Sequence, residues 1–221
     1  MIKIGDLIKE TLKGKSLYRV LFNWQVAKHC AGLSGVCVDL ACGKPGASYA
    51  RYWKLTPEKL VRIDADKAAG ADITADLNEG LPLADEFADN IFMFNALYLI
   101  KDPLALLKEI RRVLRPGGQA FITFQFLKSE EARVTDRHRF TSWQTKELLA
   151  AAGFSRVEIF PVGERFAVVG ELADFALGNF FLFRILKIFW RPLCLLADKL
   201  APKKLGANYP CAAAWFAVVK K

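Results

Sequence analysis

A chain of 221 residues, 53% hydrophobic and 25% charged, suits one α/β domain with additions and is too apolar for global disorder. Its net charge of +9 favours anionic partners or an anionic surface, but the Lys and Arg residues are dispersed, so charge alone does not select nucleic acid. Five cysteines without a CxxC and only two histidines, His29 and His138, argue against a disulfide framework and against a Cys/His zinc site.

Residues 1–30 read as one or two helices with Leu17, Val20, Leu21 and Trp24 on one face. They lack the long apolar core of a signal peptide, so a reducing cytoplasm is the expected compartment. Short apolar runs then recur: VCVDL at 36–40, LVRID at 60–64, a brief one around 72–74, NIFMFN at 90–95 and QAFITFQF at 119–126. After the first run, a turn of small residues leads into a possible helix. A well-marked helix spans 103–114, with Asp102 as N-cap, Pro103 in the first turn, and Leu107, Ile110 and Leu114 on one face. Pro116-Gly117-Gly118 stops it and leads into a strand. A helix follows Thr141, where Thr141 and Gln144 have capping-box spacing, and Gly153 closes it. A strand near 156–160, an apolar helical region over 171–200 and a strand near 211–219 complete the chain. Strands alternating with helices give an α/β fold with a mostly parallel, doubly wound sheet and helices on both faces.

Asp39, Asp64 and Asn95 end apolar runs, and Asp76 follows a short one. In an open parallel sheet the carboxyl ends of strands line the ligand crevice. Acids there also cap helices, but four polar groups at successive strand tips read together as a binding site. The turn Ala41-x-Gly43-x-x-Gly46 imitates a dinucleotide fingerprint without its first glycine, and Asp64 lies at a ribose-binding distance from it. No Gly-Lys-Ser/Thr follows, which excludes a kinase-type phosphate loop.

From Val36 to Phe160 the chain resembles the class I S-adenosylmethionine-dependent methyltransferases, particularly methyltransferase type 11. The stretches VDLACG, VRIDAD, ADITADLNEGLPL, NALYLIKDPLALLKEIRRVLRPGGQAFIT and RFTSWQTKELLAAAGF carry the resemblance, in family order. It implies a Rossmann-like sheet with an antiparallel last strand and S-adenosyl-L-methionine as cofactor. Asp39, Leu40, Ala41, Cys42 and Gly43 would then form the loop beside the methionine part. Asp64, with Ala65, would take the ribose hydroxyls, Asp76 and Leu77 the adenine, and Asn95 and Ala96 the methionine side. Three features depart from the family: Ala41 stands where glycine is usual, Pro45 interrupts the glycine spacing, and Leu99 takes the place of a common histidine. The stretch between Asp64 and Asp76 is also too short for a crossover helix.

Methyl transfer from a sulfonium is chiefly alignment, and an oxygen acceptor also needs help losing its proton. His138 is the candidate base, with a hydrogen-bonded loop histidine as the alternative. Tyr98 faces the acceptor or packs in the core, and Arg137 and Arg139 bind an acidic acceptor group or stand in solvent. Cys42 has no activating neighbour.

The run 175–196 is apolar but carries Arg184, Lys187 and Arg191 on one helical stripe, beside Phe181, Ile185, Ile188 and Phe189; Pro192 is expected to break the helix. It is a lid, a dimer contact, or a basic amphipathic helix on an anionic membrane surface. One domain is therefore expected, comprising a helical lid (1–30), a cofactor core (31–162) and an apolar insertion with the last strand (163–221). Its expected function is methyl transfer to a small or lipid-like acceptor, at oxygen rather than nitrogen or carbon, in the cytoplasm or at a membrane. Nucleic acid is not an expected partner. The alternatives are a catalytically inactive binding or scaffold protein on the same fold, and a nicotinamide dehydrogenase.

Overall fold

The computed structural model describes residues 4–130, 135–178, 180–201 and 211–221. Seven strands form one sheet: β1 (Ser34–Leu40), β2 (Thr56–Asp64), β3 (Ile73–Thr74), β4 (Ala88–Met93), β5 (Leu114–Gln125), β6 (Arg156–Val162) and β7 (Ala214–Lys220). Their order is β3-β2-β1-β4-β5-β7-β6. The first five pair in parallel, and β7 inserts antiparallel between β5 and β6. Strands covered on both faces have no wet side, which is why the central ones read as continuous apolar runs. Chain order reverses between β1 and β4, so the crevice for a ligand opens at their carboxyl ends.

Among the described residues six α-helices surround the sheet: α1 (Ile4–Leu12), α2 (Leu17–His29), α3 (Pro103–Val113), α4 (Ser142–Ala151), α5 (Arg165–Leu177) and α6 (Phe181–Leu200). Three N-termini are fixed by side chains. Ser16 accepts from the Arg19 amide, Asp102 from that of Ala105 and Thr141 from that of Gln144. Leu107, Ile110 and Val113 bury the inner face of α3, while Leu17, Phe22 and Val26 bury that of α2.

The structure departs from the sequence reading in four places. No α-helix follows the turn after β1; a single 3-10 turn at Ala50–Tyr52 serves instead, because buried Tyr49 and Trp53 pin the segment to the core. β5 begins at Leu114, ahead of Pro116-Gly117-Gly118. At Gly118 a Cβ would lie 3.0–3.2 Å from the carbonyls of Arg115, Asp89 and Ala88, so the glycine serves close strand contact rather than a helix stop. Pro192 does not break α6, which continues through it. Polar ties on both sides, at Arg191 and Asp198, hold the helix across the missing amide.

The fourth departure concerns the basic stripe. Lys187 and Arg191 are buried, not turned to solvent. Arg191 pairs with Asp174 of α5 and donates to Thr11 Oγ1 at 2.7 Å. Lys187 lies 3.4 Å from the Asp174 carboxylate and donates to the Gly178 carbonyl at 2.7 Å. Arg184 reaches the Leu12 carbonyl at 3.4 Å. Two buried cations on one helix are tolerable only against a buried acid, and Asp174 is that acid. The same carboxylate accepts the Leu17 amide at 3.3 Å, and neighbouring Glu171 accepts that of Tyr18 at 2.8 Å. The first turn of α2 is thereby tied to α5 and α6.

Asp174→Ala leaves Arg191 and Lys187 buried without the acid that faces both. It is expected to destabilise the fold by about 3–5 kcal/mol, measured by urea unfolding; a loss below about 1 kcal/mol would mean that the knot carries no stability.

Candidate functional site

β1 ends on Asp39 and Leu40, whose neighbours across the sheet are Arg62 and Ile63 of β2 and Phe92 and Met93 of β4. This position takes the Asp39 carboxylate out of water, with only 3% of the residue exposed. One oxygen accepts the Tyr49 hydroxyl at 2.9 Å; the other is buried with no hydrogen-bond partner. Burial pushes the Asp39 carboxyl up from its ordinary 3.8 to about 7, against the lowering effect of the Tyr49 hydroxyl and the Arg62 charge. Burial and the adjoining Asp39 keep the Tyr49 hydroxyl protonated.

The chain then turns through Ala41 in the left-handed region, φ 52°, where a side chain costs conformational energy. Cys42 is buried, its thiol pushed up to about 11 by burial and by Asp39 and Asp64. No thiolate chemistry follows from that environment. Gly43 and Gly46 also have positive φ, and a Cβ on either would meet nothing within 4 Å. The loop therefore presents bare backbone to open space.

Asp64 closes this loop from β2. One carboxylate oxygen accepts the Gly43 amide at 2.8 Å, the other the Asp66 amide at 2.8 Å. Ala65 beside it is exposed. Asp76 follows β3, which pairs with β2 at Asp64, and the Ala75 amide donates to the Asp64 carbonyl at 3.0 Å. Asp76 accepts the Asn78 amide at 2.9 Å, which pulls its carboxyl down, and Leu77 is buried in the core beside it. Asp39, Asp64 and Asp76 thus end three adjacent strands.

At the tip of β4, Asn95 also has a positive φ, 56°, and its amide donates to Thr123 Oγ1 at 2.6 Å. Its side-chain oxygen accepts from Gln125 Nε2 at 2.6 Å and from the Tyr18 hydroxyl. Gln125 Nε2 also donates to that hydroxyl at 2.8 Å, while Gln125 Oε1 is buried without a partner. Burial pushes the Tyr18 hydroxyl far up, so it stays protonated. Ala96 is buried beside this cluster. Sequence reasoning missed Tyr18, Tyr49 and Gln125. Gln125 alone left a trace, as a polar residue inside an otherwise apolar run.

The acceptor-side candidates sit together around the backbone of Tyr98, whose carbonyl accepts the amides of Arg137 and His138 at 3.0 and 3.1 Å. The Tyr98 hydroxyl accepts Lys128 Nζ at 2.6 Å. His138 donates from Nε2 to the Ile100 carbonyl at 2.9 Å and stacks on Phe140. Arg139 is engaged by Asp136 at 2.5 and 2.8 Å and by the His138 carbonyl at 2.8 Å, whereas Arg137 is exposed. Leu99 is half-buried against the core. His29 lies elsewhere, stacked on Phe216 and tilted against Phe160. Among the described residues, no group of His, Cys, Asp and Glu side chains is placed to hold a metal ion.

Residues 38–122 match the family described as a methyltransferase domain. The tRNA U34 carboxymethyltransferase of Nautilia profundicola is 25% identical over 143 residues, 58% of this chain. The chain spans 46% of that curated relative's length. One solved structure with the same fold is a chain of the complex between the Haloferax volcanii Trm112 methyltransferase activator and a methyltransferase. Its TM-score is 0.57 at 19% identity, with 90% of each chain covered. Another is an S-adenosylmethionine-dependent methyltransferase of Thermotoga maritima, with a TM-score of 0.56 at 16% identity, covering 93% of this chain and 92% of that one.

Asp39 makes stability depend on pH in a definite direction. Near its ordinary pKa and below, folded and unfolded chains both hold the proton. Between about 4 and 7 only the folded chain does, so stability falls as pH rises. Asp39→Asn lacks this loss and is expected to be the more stable form at pH 8, by up to about 4 kcal/mol. The difference between the two should shrink toward pH 4 in urea unfolding. A difference independent of pH would refute the burial of the charge.

Proposed function

We propose, from the premise that this chain belongs to the class I S-adenosylmethionine-dependent methyltransferases, that it transfers a methyl group to a lipid-like acceptor, at oxygen. The observation that carries the cofactor part is the loop at the reversal of strand order. It is flanked by a buried carboxylate with an unpartnered oxygen and by a second carboxylate from the adjacent strand. S-adenosylmethionine suits this donor set, since it is cationic at sulfonium and ammonium and carries two ribose hydroxyls. Bound there, it would supply a methyl group on positively charged sulfur.

The chain's own residues would then orient and desolvate. Asp39 would offset the positive charge from inside the sheet, and a bound cation would repay the cost of burying its carboxylate. Asp64 retains lone pairs for the ribose and already shapes the loop through Gly43. Leu77 and Asp76 would flank the adenine ring. Gly43 and Gly46 leave room for close backbone approach. Tyr18, Gln125 and Asn95 would shield the reacting end from water, where correct alignment is worth up to about 7–11 kcal/mol. An oxygen acceptor must also lose a proton. With Nε2 donating to a carbonyl, a neutral His138 carries its lone pair at Nδ1 and could accept one.

A lipid-like acceptor is supported by the apolar helices α5 and α6, which hold the first turn of α2 and hence Tyr18. A second reading, an RNA acceptor like the one named for the Nautilia relative, rests on that likeness; the net charge of +9 suits any anionic partner.

Calorimetry with S-adenosylmethionine tests the site. Asp64→Ala is expected to weaken binding about 10- to 100-fold, the loss of one or two hydrogen bonds to a charged group. Unchanged affinity would displace the ribose from Asp64. With radiolabelled cofactor, label partitioning into a lipid extract supports the acceptor reading, and label on tRNA replaces it.

A further inference from the structure

The helix pair α5–α6 is polar inside and apolar outside. On α6, Lys187, Arg191 and Asp198 turn inward, whereas Arg184 is half-buried and Lys199 exposed; the first two engage Asp174, and Asp198 accepts the Phe166 and Ala167 amides at 2.8 and 3.0 Å. The opposite side carries Leu182, Leu186, Phe189, Leu193, Leu196 and Leu200, each 50–75% exposed. Alternating steps of four and three residues keep all six on one line along a helix about 30 Å long. Leu172 and Phe175 of α5, 48% and 44% exposed, extend the same character. Helices in water put leucines in the core and charges outside. Here a row of large apolar side chains faces outward while two cations and an acid lie inward, an arrangement suited to a hydrocarbon surface.

We propose that the outer face of α5–α6 docks on a phospholipid leaflet containing anionic lipid. No described helix is long and apolar enough to cross a membrane, so the face would lie along the surface. Beside it, an apolar cleft of about 520 Å³ opens between α1, α2, β6 and α6. Leu193 and Leu196 form one wall and Leu21, Trp24 and Phe160 another; Lys28, Lys199, Glu164 and Asp198 are its charged lining. Asp198 is occupied by the two amides of α5, which leaves Glu164 as the one acid without that engagement. Lys28 stacks over Phe160 at 5.1 Å. The two lysines meet lipid phosphate at the depth where the leucines meet acyl chains, and the overall positive charge acts in the same direction. This docking differs from the interfacial contact expected of Arg184, Lys187 and Arg191, since two of those cations are buried and the contact is made by the opposite side of the helix. It goes beyond the proposed reaction and does not require it, because binding is read without cofactor or acceptor.

The test is co-sedimentation of the full chain with phosphatidylcholine vesicles, with and without phosphatidylglycerol. The chain should bind the mixed vesicles more tightly than the zwitterionic ones. Phe189→Glu combined with Leu193→Glu should lose about tenfold or more in affinity, with an unchanged thermal midpoint and unchanged S-adenosylmethionine affinity. Leu182→Asn with Leu200→Asn, at the two ends of the line, should weaken binding independently of that pair. Lys28→Glu should weaken only the anionic contribution. Three results would overturn the proposal: no sedimentation with either vesicle, equal binding by both double variants and the unaltered chain, or a dimer that Phe189→Glu/Leu193→Glu converts to monomer. The last would assign the face to a second copy. Loss of cofactor binding in the unaltered chain would instead count against the reaction and leave vesicle binding as it was.

Discussion

A carboxylate kept out of water where the strand order reverses governs the site. Asp39 cannot leave that position, because β1 is an inner strand and pairs on both sides. Its burial is unfavourable for an isolated fold, and the Tyr49 hydroxyl and the Arg62 charge offset it only in part. Around it the backbone adopts conformations that ordinary side chains avoid, at Ala41 and again at Asn95 on the facing strand. Strained backbone also occurs outside the site, at Lys54 and Glu86. At the site it coincides with an unpartnered acid, bare glycine backbone and a second carboxylate. That combination is poor for stability and well suited to a cation bearing hydroxyls.

The second organising feature is the buried knot at Asp174. One carboxylate pairs with both Arg191 and Lys187 and accepts the first amide of the helix that delivers Tyr18 to the strand tips. The outer apolar helices and the inner polar cluster are consequently parts of one rigid arrangement. If the outer face rests on a membrane, Tyr18 is held at a fixed offset from that surface.

Much of the framework was legible in the chain. Apolar runs ending in Asp39, Asp64 and Asn95 marked both the strands and the crevice, because a parallel strand is apolar until it reaches the ligand side. Local caps at Asp102 and Thr141 were legible for the same reason: their partners lie three residues away. What escaped reading depends on long-range pairing. Tyr18 and Gln125 meet across 107 residues, and no local pattern announces it. The stripe of Arg184, Lys187 and Arg191 reads in the sequence as the basic side of an amphipathic helix, because a helical row of cations ordinarily lies at a surface. The inward orientation of Lys187 and Arg191 depends on an acid in the preceding helix. Pro192 reads as a break because local chemistry disfavours it inside a helix, and tertiary ties on both sides override that preference. The absence of a helix after the first turn follows from aromatic anchoring by Tyr49 and Trp53, again a packing effect.

A crystal structure with S-adenosylhomocysteine tests the central claim most directly. Its ribose is expected against Asp64, its adenine beside Asp76 and Leu77, and its amino group toward the unpartnered oxygen of Asp39. A ligand bound elsewhere, or in this crevice with its ribose away from Asp64, would contradict it.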